Sequence, residues 1–374
     1  MTKEALLEKT VLEFNQRYVR PIAKEIDRTK RFPEETVKLL AHYGLMGLPF
    51  PKEIGGVGAS YESYINTVRL LARDCATTSV ILSAHTSLCC SPIYEFGSKE
   101  LKEKYLPKLL KGEWLGAFAL TEPNAGTDSA SQQTKAIDKG DYFEVTGSKI
   151  FITNADYADI YIIFAMTNPE LGTKGISAFV MEANSEGFSV GPKENKMGIR
   201  GSSTCELIFD KVKIPKENLL GRLNGGFKVA MQTLDGGRIG IAAQALGIAE
   251  GALERTISYV KQRKQFGRPL AAFQNTQFQI AEMATKVEAA RLLVFKAAQD
   301  KENKLDYSKS AAMAKLFASK IAVEVALEAI QLHGGYGYIE DYEVERFLRD
   351  AKITEIYEGT SEVQKMVISG KVLR

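Results

Sequence analysis

The chain has 374 residues, of which 45% are hydrophobic and 25% charged, and its 49 Lys and Arg against 46 Asp and Glu leave a formal net charge of +3. This ordinary globular composition predicts two or three domains. Basic residues are interspersed with acidic ones, so neither a nucleic-acid partner nor an anionic membrane surface is expected. No apolar run approaches the about 18 residues of a membrane span, and the charged first residues do not resemble a secretory signal. We therefore expect a cytoplasmic protein without a membrane span.

The cysteines and histidines do not suggest a metal site. The four cysteines, Cys75, Cys89, Cys90 and Cys205, lack CxxC spacing and have no histidines nearby that would complete a zinc site. The adjacent pair Cys89 and Cys90 could suggest redox chemistry, but adjacent cysteines rarely form a disulfide. We expect buried, reduced thiols and no bound metal.

The first part of the chain has the periodicity of helices. Between Leu6 and about Gly112, apolar residues recur every three or four positions, and prolines and glycines interrupt them. This pattern predicts an N-terminal helical domain over residues 1–115.

The pattern then changes to that of strands. Short runs rich in β-branched and aromatic residues occupy 142–146, 160–166, 176–181 and 206–209. Turn clusters separate these runs, and no helical patterns alternate with them. We predict a middle β domain over residues 116–220.

Helical periodicity returns in longer elements after Gly221. One apolar stripe extends from Ile239 to Val260 and another from Ala314 to Leu332. Stripes of this length are typical of packed bundle helices, which predicts a C-terminal helical domain over residues 221–374. Ligand sites favour domain junctions, so the start of the β domain and the second helical domain are the places to expect one.

Several motifs allow two interpretations on local evidence. The polar loop 118–128 could present backbone N–H groups to a heterocycle or a phosphate, or it could be a simple turn. Phe151 could lie on a flavin ring or in the core. The basic helix end near Arg263 could bind a phosphate, or its positive charges could simply interact favourably with the C-terminal end of the helix dipole. The glycines of 331–337 follow a helical stripe instead of a strand, which excludes a dinucleotide fingerprint.

Three acids near the C-terminus are similarly ambiguous. Glu355, Glu358 and Glu362 lie three and four positions apart. On one helix they would share a face, and such a face is usually solvated. Spacing alone therefore favours a surface role for all three.

Taken together, the motifs resemble those of one family. They are FALTEPNAGTD, FITN, MGIRGSS, LDGGRIGIAAQALGIAEGAL, RKQFG, QLHGGYGY and RDAKITEIYEGTSEVQ, in that order from residue 118. This set is similar to the acyl-CoA dehydrogenases, and most similar to their short-chain, butyryl-CoA type from bacteria. The resemblance covers essentially the whole chain. It implies an α+β fold with an N-terminal α-helical domain, a middle antiparallel β domain and a C-terminal four-helix bundle.

The resemblance also implies a cofactor and partners. Members of the family bind FAD non-covalently, act on acyl-CoA, pass electrons to electron-transferring flavoprotein and form homotetramers built from dimers. Expected to contact FAD within one subunit are Phe118, Leu120, Thr121, Gly126, Thr127, Phe151, Ile152 and Thr153. Expected to reach the FAD of a neighbouring subunit are Arg263, Gln274, Gln331, Leu332, His333, Gly334 and Gly335, and Phe266 is a further expected FAD contact. Expected to close over the cofactor are Thr360, Ser361 and Glu362. Expected to contact the acyl-CoA are Thr127, Asp235, Arg238 and Gly359.

By the same resemblance, Glu358 is the catalytic base. It would remove the α-proton of an acyl thioester as a hydride leaves the β-carbon for flavin N5, giving the trans-2-enoyl thioester. Some relatives carry the base at the position of Gly237, and glycine cannot serve there. The alternatives are a branched, cyclic or dicarboxylic acyl group, the reverse reaction as an enoyl-CoA reductase, a flavoprotein oxidase, or a non-catalytic protein that kept the fold.

Overall fold

The computed structural model describes residues 2–373, and the first part of them is helical. Its helices are α1 (Lys3–Phe14), α2 (Arg20–Thr29), α3 (Glu34–His42), α4 (Tyr61–Ala72), α5 (Ala76–Ser83), α6 (Ser91–Phe96) and α7 (Lys99–Leu110). A π-helical segment joins α1 to α2, and another joins α5 to α6. Several helices start at a hydroxyl cap: Ser60 Oγ accepts from the N–H of Ser63, and Ser98 Oγ from that of Leu101. The predicted helical character of this region is confirmed.

The middle part is an eight-stranded sheet. Its strands are β1 (Gly116–Ala119), β2 (Lys135–Asp138), β3 (Tyr142–Thr153), β4 (Ile160–Met166), β5 (Ile176–Glu182), β6 (Phe188–Lys193), β7 (Thr204–Pro215) and β8 (Leu219–Leu220). The order is β6-β7-β3-β2-β4-β5-β8, with β1 paired to β4. Most neighbours are antiparallel as expected, but β1 and β2 both pair with β4 in parallel, so the sheet is mixed.

The C-terminal part contains long helices that pack on one another. They are α8 (Gly226–Gln262), α9 (Gln274–Glu302), α10 (Ser308–His333), α11 (Val344–Thr354) and α12 (Ser361–Val372), and the short hairpin of β9 (Lys264–Gln265) and β10 (Arg268–Pro269) connects α8 to α9. Helices α8, α9, α10 and α11 form the packed group.

Helix α8 is the centre of the molecule. It packs on α9, α10 and α11 and also on α4, α5 and β5. Every residue of 236–249 is buried, so the apolar stripe predicted for this helix is only part of a surface covered all round. A Cβ at Gly247 or Gly251 would overlap the backbone carbonyl of Arg69 or Arg73, which explains why glycines stand where α4 crosses.

All four cysteines are buried and none is in a disulfide, as predicted. None of the helices formed by residues 2–373 has both the length and the apolar character required to traverse a lipid bilayer.

Candidate active site

Glu358 lies in the turn between α11 and α12. Its backbone is left-handed, with φ of 52°, and that of Gly359 is left-handed too, with φ of 94°. The Ser361 N–H donates to the carbonyl of Glu355 at 3.0 Å and closes the turn. A left-handed conformation is costly for a glutamate and persists only where the surroundings impose it. The interpretation of the three acids as one solvated helical face is therefore wrong.

The three acids have different environments. Glu355 pairs with Lys352 at 2.7 Å at the end of α11. Glu362 is exposed in the first turn of α12, where its own backbone N–H and the Thr360 hydroxyl lower its pKa. Glu358 has a buried Oε2 without a hydrogen-bond partner among residues 2–373. Burial raises the pKa of Glu358 to about 7, although nearby positive charges oppose the shift. Only this acid is placed to exchange a proton near neutral pH.

Gly237 of α8 faces the Glu358 carboxyl group. A Cβ added at Gly237 would overlap Glu358 Oε2 and lie 2.8 Å from Leu88 Cδ2. The absence of a side chain at Gly237 thus makes room for the carboxyl group. Gly237 and Glu358, the two positions at which members of the resembling family carry the base, therefore face each other.

Asp235 and Arg238 lie beside this point on α8. They form an ion pair, and Ser308 Oγ donates to Asp235 Oδ1 at 3.2 Å. Arg238 is 5% exposed, and its Nε finds no partner among the described residues. Burial raises the pKa of Asp235 above its ordinary value. The pair therefore keeps an unused buried donor close to the candidate base.

Lys315 of α10 completes this group and was not singled out from the sequence. Its Nζ donates to the Gly359 carbonyl at 2.5 Å, and Gln364 Nε2 donates to the same oxygen at 2.7 Å. The sequence does contain a signal, because Lys315 shares a helical face with Ala311, Ala318 and other apolar residues. A lysine on such a face indicates a special role.

The loop 118–128 and the end of β3 form a second group. The Ile150 N–H donates to the Thr121 carbonyl at 2.8 Å, which joins the two segments. Register with β7 shifts between Lys149 and Ile152, and within this bulge Phe151 has φ of 60° and is 61% exposed. The alternative of Phe151 as a core residue is wrong. An exposed aromatic on strained backbone is typical of a binding surface.

The other residues of this group differ in what they can offer. Gly126 and Thr127 are exposed, and Thr121 and Thr153 are half-buried, so their polar groups are accessible. Phe118 is half-buried, with its ring 5.0 Å from that of Phe164. Leu120 and Ile152 are buried. Contacts from these last two residues to a ligand would come from their backbone groups.

A buried charge network, which we call the Lys149 cluster (Lys149, Glu122 and Gln132), holds the loop in place. Lys149 Nζ donates to Glu122 Oε1 at 2.8 Å, to Gln132 Oε1 at 3.1 Å and to the Leu120 carbonyl at 3.1 Å. The Thr134 N–H also donates to Glu122, at 3.0 Å. Sequence reasoning assigned Glu122 no role and missed Lys149. The cluster joins the start of the loop to β3 and to the segment that follows the loop.

A third group lies at the end of α10. Arg263, Gln331, Leu332, His333, Gly334 and Gly335 line a cleft of about 440 Å³ together with Tyr259 and Tyr336. The loop 118–128 and residues 151–153 contribute nothing to its lining. The His333 ring is buried, stacks on Tyr259 and contacts the Ala329 carbonyl through Nδ1 at 2.7 Å. The cleft therefore offers glycine backbone and the Arg263 guanidinium, and not a free imidazole.

Phe266 and Gln274 stand outside this cleft. Phe266 forms the turn of the β9–β10 hairpin and is 93% exposed, with φ of 53°. Gln274 is exposed at the start of α9. Both side chains are free to meet a surface from outside the chain.

Comparison with known proteins identifies the family. Residues 2–113, 117–212 and 224–373 match the N-terminal, middle and C-terminal domains of the acyl-CoA dehydrogenases. The short-chain specific acyl-CoA dehydrogenase of Clostridium acetobutylicum is 57% identical over 372 residues, covering 100% of this chain and 98% of that protein. The caffeyl-CoA reductase-Etf complex subunit CarC of Acetobacterium woodii is 48% identical, covering 94% and 93%.

A solved structure agrees with this result. Butyryl-CoA dehydrogenase from Megasphaera elsdenii superimposes with a TM-score of 0.99 at 49% identity, covering 100% of this chain and 99% of that one. The similarity therefore extends over all three parts of the fold.

Proposed function

The chain belongs to the acyl-CoA dehydrogenase family, and we propose that it oxidises a short-chain acyl-CoA to the trans-2-enoyl-CoA with Glu358 as the base. One observation carries this proposal. Glu358 Oε2 is buried, has no hydrogen-bond partner among residues 2–373, and faces a space kept open by Gly237. Such a carboxylate is costly for stability, and a group of this kind is retained where chemistry uses it.

The residues present fit FAD as the cofactor. Phe151 exposes an aromatic face on strained backbone, and the neighbouring loop exposes Gly126 and Thr127. A heterocycle can stack on such a ring and accept hydrogen bonds from such a loop. When bound, FAD supplies the acceptor for the hydride equivalent that leaves the β-carbon.

This chain's own residues act on the α-carbon and on the thioester. Glu358 takes the α-proton, and a pKa of about 7 allows it to be ionised beforehand and to hold the proton afterwards. Its backbone N–H makes no hydrogen bond within residues 2–373 and is free to donate to the thioester oxygen as negative charge develops. Asp235 and Arg238 bind the acyl-CoA beside the base. Substrate bound in this buried space excludes water and strengthens these interactions.

The cleft at the end of α10 suggests how subunits combine. Its lining and the Phe151 surface share no residues, although resemblance associates both with FAD. We infer that Arg263 and the Gln331–Gly335 segment of one subunit meet the cofactor held by another, within a homotetramer. The Arg263 guanidinium suits the pyrophosphate, which it can bind as a fork.

The decisive test compares the purified FAD-bound protein with its Glu358→Gln variant. We expect anaerobic butyryl-CoA to bleach the flavin of the wild-type protein, and the rate to fall by about 10²–10⁴-fold in the variant. FAD content should be the same in both, and the thermal midpoint of the variant should not fall below that of the wild type. Full-rate bleaching by Glu358→Gln would refute the base assignment.

Two further measurements define the reaction. A panel of short, long, branched and dicarboxylic acyl-CoA thioesters in the same assay tests substrate class, and fastest bleaching is expected with the four-carbon chain.

Reoxidation by electron-transferring flavoprotein, but only slowly by air, would separate a dehydrogenase from an oxidase. An electron-transferring flavoprotein is the proposed partner, and the Etf complex of the Acetobacterium relative supports it. That relative's name as a reductase also keeps enoyl-CoA reduction as the second candidate for the physiological direction.

The cellular setting belongs to the same proposal. Four buried cysteines without a disulfide are compatible with a reducing compartment, so we propose that the enzyme works in the cytoplasm. Fractionation of cells that produce the protein, with FAD fluorescence and immunodetection as readouts, would test this placement.

A further inference from the structure

We propose that Lys315 is a positioning residue for the candidate base, anchoring the turn that carries Glu358 and holding a positive charge beside its carboxylate. The inference rests on the proposed function of Glu358 and assigns a second residue to that function. It follows from the geometry of the turn and from the distribution of charge around it.

The geometry concerns the Gly359 carbonyl. Lys315 has no exposed surface, and its Nζ reaches this oxygen at 2.5 Å from α10. Gln364 reaches the same oxygen from α12 at 2.7 Å. Because Glu358 and Gly359 are both left-handed, the turn requires anchors from outside itself. Two helices supply them, and they direct the carboxyl group toward Gly237.

The charge of Lys315 has no other evident use. No carboxylate oxygen of residues 2–373 lies within 4.0 Å of its Nζ, whereas buried ammonium groups are normally paired. Titratable and charged groups around the turn are Tyr61 and Tyr64 of α4, Asp235 and Arg238 of α8, Lys315 of α10, and Glu355, Tyr357 and Glu362 beside Glu358. Burial raises the pKa of all three tyrosines, so they are neutral.

Two cations therefore act on Glu358. Burial raises the pKa of Glu358, and Lys315 opposes this shift more strongly than Arg238 does. Arg238 already pairs with Asp235, whereas the ammonium of Lys315 contacts only a neutral carbonyl. Without Lys315, the ionised base would lose its less compensated positive neighbour.

Three variants separate the anchor from the charge. Lys315→Met removes both, and Gln364→Ala removes only the second anchor. Lys320→Met is the matched control, since Lys320 is exposed on the same helix beside Glu324.

Each FAD-bound protein is titrated between about pH 5 and 9 without substrate. Infrared difference spectra against the corresponding Glu358→Gln protein, with ¹³C-labelled glutamate, follow protonation of the Glu358 carboxyl group. Stopped-flow bleaching by butyryl-CoA then gives the pH dependence of the rate.

We expect the protonation midpoint to rise by about one pH unit in Lys315→Met, and the rate profile to move with it. Gln364→Ala should lower the rate at every pH and leave the midpoint in place. Lys320→Met should match the wild-type protein in both measurements.

An unchanged midpoint in Lys315→Met would overturn the proposed role of the charge. If that variant does not fold, Lys315→Gln, which keeps a donor but no charge, takes its place with the same expectation and the same contrary result. Full activity of Glu358→Gln would refute the proposed function separately, because the infrared midpoint needs no turnover.

Discussion

The regions around two buried lysines, Lys149 and Lys315, differ in how the buried positive charge is compensated. In the Lys149 cluster, the ammonium meets a carboxylate at 2.8 Å and two further acceptors. In what we call the Lys315 cluster (Lys315, Gly359 and Glu358), the ammonium meets a backbone carbonyl, and the carboxylate stays without a hydrogen bond to its Oε2. Burial lowers the pKa of both lysines to about 8.

The acids of the two clusters respond in opposite ways. Burial alone would raise the pKa of Glu122, but the charge of Lys149 and its hydrogen bonds hold that pKa below the ordinary value. Burial raises the pKa of Glu358 to about 7, and Lys315 compensates only in part. The satisfied network fixes the loop 118–128, and the unsatisfied one leaves the candidate base with a raised pKa.

The largest expected effect is on stability, from Lys149→Met. This change leaves Glu122 buried without its cation, which should lower the free energy of unfolding by about 3–5 kcal/mol. Chemical denaturation followed by circular dichroism measures the loss. Lys139→Met is the control, because Lys139 and Glu144 form a more exposed pair at 3.5 Å, worth about 0–1 kcal/mol. Equal losses in the two variants would contradict the distinction.

Gly237→Ala tests the region around Lys315 and Glu358, where it should slow the reaction. The added methyl group would occupy the space of the Glu358 carboxyl group, and a displacement of about 1 Å can slow a reaction by about 10²-fold. Stopped-flow bleaching by butyryl-CoA measures this rate. Gly370→Ala, where an added Cβ meets nothing within 4 Å, should leave it unchanged. A wild-type rate in Gly237→Ala would show that the base does not need this space.

The pH dependence of stability should have opposite signs at the two acids. Because the folded protein holds the Glu358 proton more tightly than the unfolded chain does, the contribution of Glu358 to wild-type stability should fall as the pH rises from the ordinary 4.5 to about 7. Glu358→Gln lacks this decline, so its stability relative to the wild type should rise across that window, by at most about 3 kcal/mol.

Glu122 should show the reverse, because its pKa is lowered from 4.5 by folding. Its contribution is present above pH 4.5 and is lost as the pH falls toward the lowered value. The advantage of wild type over Glu122→Gln should therefore shrink in acid. Thermal midpoints of the wild type and both variants across the pH range measure the two trends. If Glu358→Gln and Glu122→Gln differed from the wild type in the same way at every pH, the predicted opposite signs would be contradicted.

The smallest expected change in stability is that of Phe151→Ala. Its ring is 61% exposed, so the variant should lose less than about 0.5 kcal/mol of stability. FAD should nevertheless dissociate up to about tenfold more readily, since an aromatic contact contributes about 0.5–1.5 kcal/mol. Flavin fluorescence after dilution measures release. Ile137→Ala, which also removes an exposed apolar side chain, should retain FAD as the wild type does.

Periodicity predicted the arrangement of helices, strands and helices, and it located β3, β4, β5 and β7. Strands β4 and β5 were recognisable because they are buried along almost their whole length and read as continuous apolar runs. Strands β1, β2, β6 and β8 were missed. They have two to six residues each, and β1 and β8 pair with strands that are distant in the chain, so local pattern does not specify them.

The candidate site, too, was only partly predictable from the sequence. The motif resemblance alone distinguished Glu358 from Glu355 and Glu362 and named Gly237 as the alternative position. Sequence could not show that these two positions face each other, nor that Phe151 lies outward on a bulge. Those facts depend on backbone conformations that only the complete fold imposes.

The sequence by itself determined the family, the order of secondary structure and the identity of the candidate base. Only the tertiary structure decided the environment of that base, because Lys315, Gly237 and Glu358 come from separate helices and a turn. Burial and charge compensation are properties of packing between distant segments. Of the three acids that looked alike in the sequence, Glu358 thus became the one with a pKa near neutrality.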